Sequence, residues 1–273
     1  MYSPFDKTVA SATNPLFREW LELLTSKGIR KQGLFLISGE KAIAETLTRF
    51  PGLARSLFVC SERHATHPLI AKTKAMPQIP NAERFTVIAL AKQLFDALDV
   101  AGTHQPILLT RTPEVKEADL SQEPQGLEIL CALGDPSNVG ALLRSVAAFG
   151  AAKVILLREC ASPFHPKAVR AASASTLLTK LERGPSIKDL PAVVQAHALK
   201  TPTLALDMFG KTLAEFKWPK NARLLIGEEG QGVPNSKAFE LLSIPMEREV
   251  ESLNATVAAS IALYSYKAAS QKV

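Results

Sequence analysis

Three polar segments in the second half of this chain carry residue types that could do chemistry. The first runs Leu133-Gly134-Asp135-Pro136-Ser137-Asn138-Val139-Gly140-Ala141-Leu142-Leu143-Arg144. Asn138 is placed to act as an N-cap, its side-chain oxygen accepting a free amide of the first helical turn. On a helical wheel Val139, Leu142, Leu143 and Val146 share one face and Arg144 projects away from it. Periodicity alone favours a plain solvated arginine there. The second segment is Gly227-Glu228-Glu229-Gly230-Gln231-Gly232, after the apolar run Arg223 to Ile226. Its spacing is not the G-x-G-x-x-G of a dinucleotide turn, and two glutamates would repel a pyrophosphate. The glycines instead let backbone groups approach a ligand closely, and a carboxylate suits a cationic or hydroxyl-bearing one; an ordinary tight turn is the plainer alternative. The third comprises Ser243-Ile244-Pro245-Met246 and Glu251-Ser252-Leu253-Asn254-Ala255-Thr256-Val257-Ala258-Ala259. Capping of the apolar helix that follows explains one of Ser252 and Asn254, but not both.

The elements that must position these segments alternate. Leu127 to Leu133, Lys153 to Leu157, Thr203 to Leu206 and Arg223 to Ile226 have strand character. Asn138 to Phe149, Pro166 to Leu178, Leu190 to Ala198 and Asn254 to Ala269 have helical character. Such alternation predicts an α/β fold with a parallel sheet covered on both faces. Residues 112 to 126 hold four acids and two prolines among few apolar side chains, and are expected to be a linker. Before it, a helix over Pro15 to Ser26, a strand at Gly33 to Ile37, a helix over Gly39 to Phe50, and strands at Ser56 to Cys60, Phe85 to Ile88 and Pro106 to Thr110 predict a small α/β domain. Lys27-Gly28-Ile29-Arg30-Lys31-Gln32, between its first helix and first strand, is expected to be a flexible basic turn of the kind that grips phosphates.

Charge is unevenly spread. Residues 1 to 111 contain 14 Lys or Arg and 9 Asp or Glu, a net +5 of the chain's +6. Localised positive charge is the electrostatic footprint of polyanion binding, although a solvated lysine-rich surface would read the same way. Cys60, Cys131 and Cys160 are widely spaced and odd in number, the pattern of small apolar residues in a reducing compartment. Met1 to Asn14 lacks the apolar core of a signal peptide, and no later run reaches membrane-spanning length, so a cytoplasmic protein is expected. His64, His67, His104, His165 and His197 form no metal-ligand spacing, and no metal is expected.

Taken in order, the three segments resemble the motifs of the SpoU/TrmH group of the SPOUT methyltransferases, over about residues 127 to 270. Pro163-Phe164-His165-Pro166-Lys167-Ala168-Val169-Arg170 resembles that group's stretch between the first two motifs, and Arg30 to Lys41 resembles the ribosomal-protein-like RNA-binding domain of several members. The resemblance implies a knotted (trefoil) methyltransferase domain at 127–273, a linker at 112–126 and an RNA-binding domain at 1–111. It implies a homodimer that transfers a methyl group from S-adenosylmethionine to a ribose 2′-hydroxyl of RNA, ribosomal rather than transfer RNA. By the same resemblance Arg144, Asn138, Glu229, Ser252 and Asn254 are the catalytic set, with Arg144 beside the ribose hydroxyl and phosphate. Leu206, Gly227, Ile244 and Leu253 would hold the donor, and Arg30, Lys31, Lys167 and Arg170 would meet RNA.

The sequence departs from the group at Ala255-Thr256, where Val-Ser is usual, at Ser175, which is often glycine, and at Ser38, where an acid commonly precedes Gly39-Glu40. The rival readings are an RNA-binding paralogue with weak catalysis that keeps the knot for dimerisation, and a nucleotide-dependent oxidoreductase. Intact Arg144 and Glu229 argue against the first, and the glutamates of the glycine turn against the second.

Overall fold

The computed structural model describes residues 4–76, 83–197, 199–227, 233, 236–247 and 249–270. They form two compact units, the first made of residues 1–113 and 162–177, the second of residues 114–161 and 178–273.

In the first unit the chain runs β1 (Lys7–Val9), α1 (Pro15–Glu22), α2 (Ser26–Gln32), β2 (Leu34–Ser38), α3 (Glu40–Arg49), β3 (Ala54–Cys60), α4 (Pro68–Lys74), β4 (Thr86–Leu90), α5 (Lys92–Leu98) and β5 (Ile107–Arg111). The sheet order is β1-β4-β3-β5-β2, with β5 antiparallel to both its neighbours. Every residue of β3 is buried, as a central strand covered on both faces requires. Phe17, Trp20, Phe58, Phe95 and Leu98 make one face's core, and Trp20 tilts against Phe58 at 4.5 Å between ring centroids.

The predicted basic turn is a helix. Thr25 caps α2 by accepting from the Gly28 amide at 3.1 Å, and Gly33 ends it in the left-handed conformation at φ 65°. Gly28 is not there for flexibility: a Cβ on it would lie 2.0 Å from the Glu22 carbonyl oxygen, so glycine lets α2 close onto the end of α1.

The second unit runs β6 (Lys116–Glu117), β7 (Leu127–Cys131), α6 (Pro136–Phe149) and β8 (Lys153–Leu156). The chain then enters the first unit as α7 (Pro166–Ala172), which packs on β2 and seats Phe164 against Phe35 at 5.1 Å. The short α8 (Ser175–Leu178) leads back to β9 (Leu181–Arg183), α9 (Leu190–His197), β10 (Thr203–Thr212), β11 (Ala222–Ile226), β12 (Glu240–Ser243) and α10 (Ala255–Ser270). The order is β12-β10-β11-β7-β8-β9-β6, and each of these pairings is parallel. The helix expected over Pro166 to Leu178 is broken at Ser173, which ends α7 with φ 57°.

The stretch expected to be a linker is built into this unit. Lys116 and Glu117 pair with β9, and Leu120 lies in the core beside Leu130 and Leu225. A buried charge holds it there. Glu128 on β7 sits in register between Arg223 of β11 and Lys153 of β8. Its carboxylate accepts from Arg223 Nε at 2.9 Å and lies 3.3 Å from Lys153 Nζ. The remaining Arg223 nitrogens donate to the carbonyls of Leu120 and Gln122 at 3.1 and 2.6 Å. Buried ions persist when paired and fully hydrogen-bonded, and residues 120–122 supply the last acceptors.

All three cysteines are free thiols. Cys160 donates toward Cys131 Sγ at 3.5 Å, and that contact together with burial raises its thiol well above the usual cysteine range.

Candidate active site

The first and third polar segments meet at the amino-terminal ends of α6 and α10, which pack together. The N-cap of α6 is Asp135 rather than Asn138: its carboxylate accepts from the Asn138 amide at 2.9 Å, and Pro136 occupies the first turn. Asn138 stands inside the helix, so its side chain is available for tertiary contact. Its Oδ1 accepts from Asn254 Nδ2 at 3.3 Å, and its backbone carbonyl accepts from Thr256 Oγ1 at 3.1 Å.

Asn254 is the residue that caps α10. Its Oδ1 accepts from the amides of Thr256 and Val257 at 2.9 and 3.2 Å. Both ends of one side-chain amide are therefore used, the oxygen for the cap and the nitrogen for the tie to Asn138. Two turns beyond Asn138 on α6 and one beyond Thr256 on α10, the Ser145 and Ser260 hydroxyls lie 2.7 Å apart, and each also reaches the carbonyl four residues before it, Ala141 at 3.3 Å and Thr256 at 2.7 Å. Sequence reasoning missed Asp135, Ser145 and Ser260. The Asp-Pro pair at 135–136 was the available signal for the cap, and two serines in otherwise apolar helices for the second tie.

Arg144 lies on the exposed side of α6, away from buried Val139, Leu142, Leu143 and Val146, and forms no ion pair with another described residue. Ser252 is exposed, just ahead of α10. Glu229 and the rest of the glycine turn, 228–232, lie outside the described residues. Leu206, Gly227, Ile244 and Leu253 are each partly buried. Leu206 is in β10 opposite Leu242, Gly227 follows β11, Ile244 follows β12, and Leu253 precedes α10. Gly227 and Ile244 thus follow the carboxyl ends of β11 and β12, Leu206 lies on β10 between them just past its last pairing with β11, and β7, the next strand over, delivers the loop to Asn138. Ligands of open α/β sheets bind at that edge. Main-chain groups beyond a strand's last ladder bond are free to read a ligand's polar edge.

Arg30, Lys31, Lys167 and Arg170 are exposed, and all four belong to the first unit. Lys31 spends part of its charge on Glu22 at 3.2 Å. Lys167 and Arg170, three residues apart on α7, share a side of that helix. Among the described residues no three His, Cys, Asp or Glu side chains cluster as a metal site, and no helix is long and apolar enough to cross a membrane.

Known proteins extend this picture. A "Ribosomal RNA small subunit methyltransferase G 2" of Syntrophobacter fumaroxidans is 40% identical over 262 residues, covering 95% of this chain and 49% of the relative, so the chain spans about half that relative's length. A 23S rRNA guanosine-2′-O-methyltransferase of Bacillus subtilis is 28% identical, with 94% of this chain and 98% of the relative covered. The crystal structure of the SpoU methyltransferase AviRb from Streptomyces viridochromogenes, in complex with the cofactor AdoMet, superposes with a TM-score of 0.75 at 25% identity, over 93% of this chain and 97% of that one. Residues 128–264, half of the chain and including α6, the strand ends and the first part of α10, match the SpoU rRNA Methylase family, and the protein belongs to it.

Proposed function

We propose that this protein transfers a methyl group from S-adenosylmethionine to a ribose 2′-hydroxyl of ribosomal RNA. The observation that carries the reading is the tie of Asn138 to Asn254 and Thr256, which joins two of the three polar segments beside the strand ends. Leu206, Gly227, Ile244 and Leu253 would hold the donor through backbone groups, consistent with their partly buried places at those ends. When bound, the donor supplies an electrophilic methyl on a sulfonium, and the reaction is an in-line displacement at that carbon.

The protein's own work is positional, plus the management of one proton. A ribose hydroxyl is a weak acid: as its oxygen bonds the methyl carbon, the sulfonium leaves as a neutral thioether and the hydroxyl proton passes to solvent. Arginine is permanently protonated and a poor base. The role assigned to Arg144 is therefore to hold the adjacent phosphate and stabilise the developing alkoxide, for which an exposed guanidinium that forms no ion pair with another described residue is suited. Asn138, Ser252, Asn254 and Glu229 complete the proposed set, with Asn254 and Asn138 fixing the relation of α10 to α6.

The first unit is the RNA-binding part of this proposal, with Arg30, Lys31, Lys167 and Arg170 on phosphates. It supersedes a simple division at residue 111, because α7 brings its two cations into that unit. The proposal includes the trefoil knot and a homodimer. Self-association is supported by Val257, Ile261 and Tyr264, exposed at helical spacing on α10 as an apolar stripe. A cytoplasmic location is in keeping with three free thiols.

The test is methyl transfer from labelled S-adenosylmethionine to ribosomal RNA isolated from a strain lacking the gene, followed by nuclease digestion and mass spectrometry. A single new 2′-O-methyl nucleotide is expected. Label on a base, or none with either ribosomal subunit's RNA, would overturn the assignment.

A further inference from the structure

Between Leu206 and Lys211 the β10–β12 ladder stands still: both residues pair with Leu242, and Asp207 to Gly210 loop out between them. The tip of this excursion carries Met208 and Phe209, 58% and 85% exposed. Single exposed apolar residues need no explanation, but this pair sits on a loop pinned at three points. The Asp207 carboxylate accepts from the Phe209 amide at 3.0 Å, and Ser243 Oγ donates to the Gly210 carbonyl at 2.9 Å. Gly210 presses so closely on β12 that a Cβ there would lie 2.4 Å from the Leu241 carbonyl carbon. The fold therefore fixes the loop and leaves its largest side chain in water.

Its location gives the side chain a use. The excursion directly follows Leu206, and its base bonds to Ser243, the residue before Ile244, so it stands at the sheet edge where those two donor-binding candidates end. The strand that leads to Asn138, β7, is two places away across β11, about 10 Å at the usual strand spacing. Charge is not what the tip offers, since Lys211 beside it is engaged by Glu240 at 2.8 Å. It offers the face of an aromatic ring. An RNA whose ribose is presented for reaction has its bases splayed out of their stack, and proteins receive such bases on exposed aromatic side chains.

We infer that Phe209, flanked by Met208, is a substrate-positioning residue that stacks on a base of the RNA at or next to the methylated nucleotide. This rests on the methyltransferase reading above. The test uses the full chain, S-adenosylmethionine and ribosomal RNA from the deletion strain. Phe209→Ala and Phe209→Leu should each lower kcat/KM for RNA by about tenfold or more, the range for loss of one base–aromatic stack. Phe209→Trp should restore it to within about twofold, and donor affinity should be unchanged in all three. Leucine performing as well as phenylalanine would overturn the inference in favour of simple apolar cover. Weakened donor binding would reassign Phe209 to the donor site, and a change in sedimentation from dimer to monomer would reassign it to a subunit interface. The tryptophan variant also separates this inference from the reading beneath it. Quenching of its added fluorescence by the RNA, without methyl transfer, keeps the stack and refutes the methyltransferase; methyl transfer without quenching does the reverse.

Discussion

Asn254 carries two jobs on one side chain, and substitutions can take them apart. Asn254→Ala removes the α10 cap, a loss of about 1 kcal/mol. It also removes the donor to Asn138, worth about 0.5–1 kcal/mol more for a neutral, partly solvated bond. Together these lower stability by about 1.5–2 kcal/mol, or about 3–8 °C in Tm for a chain of this size. Asn254→Ser keeps a side-chain oxygen for the cap but has no donor that reaches Asn138, so its stability should stay within about 1 kcal/mol of the parent. Activity should not follow stability. Freed from Asn254, Asn138 and the first turn of α6 lose one of the bonds that set them against α10, and small misplacements of reacting groups are expensive. Single-turnover methylation at saturating donor and RNA should therefore fall about tenfold in both variants, while circular dichroism melts separate them. Serine and parent giving the same single-turnover rate would refute the tie as a positioning device and leave Asn254 as a cap alone.

Arg144→Ala should abolish methyl transfer with donor affinity and Tm nearly unchanged, because the side chain is exposed and packs no core; calorimetry with S-adenosylmethionine and a melt check both halves. Glu128→Gln takes the buried carboxylate from Arg223, while Lys153 keeps Glu182 at 2.8 Å, and should cost about 3–5 kcal/mol in urea unfolding; a loss under about 1 kcal/mol would mean that the 120–122 carbonyls alone satisfy the guanidinium. Arg30→Ala should reduce the slope of log affinity for RNA against log salt by about 0.7–0.9, and Lys31→Ala by less, since Glu22 already holds part of that charge; equal slopes for parent and Arg30→Ala would remove Arg30 from the phosphate contacts. His64 is buried with Nδ1 accepting from the Cys60 amide and Nε2 donating to the His104 carbonyl, and burial lowers its affinity for a proton despite that second bond. Its contribution to stability is complete above the unfolded value of about 6.5 and declines as pH falls below it, because the unfolded chain then takes up a proton that the native state refuses. Denaturant midpoints between pH 7.5 and 5 should show this slope in the parent and lose it in His64→Gln.

Long periodic elements were legible in the sequence: the apolar face of α6, the buried strands β3 and β7, and α10 all lie where their patterns put them. What was illegible turned on single contacts. A polar stretch reads as a linker because composition cannot reveal that one arginine, 101 residues away, will take its Gln122 carbonyl as an acceptor. Gly28 suggests looseness, yet it is there because the chain touches itself. The break at Ser173 has no glycine or proline to mark it. In the site, spacing gave Arg144's direction. Family resemblance put Asn138 and Asn254 in one catalytic set, but the hydrogen bond between them, across 116 residues, is written in no local pattern.

The excursion of residues 162–177 makes the chain cross between the two units three times, after residues 113, 161 and 177. Neither unit is then a contiguous stretch of gene. A single recombination breakpoint near residue 113 would leave α7 behind, with Phe164, Ala168 and Val169 deprived of the β2 surface they cover. On the function proposed above, a new RNA specificity could not be acquired by fusing a different amino-terminal module at that point, as it could with beads on a string. It must arise by substitution within the existing unit, or by exchange of two segments in step. By the same logic a protease nick at residue 113 would leave both products holding part of the first unit.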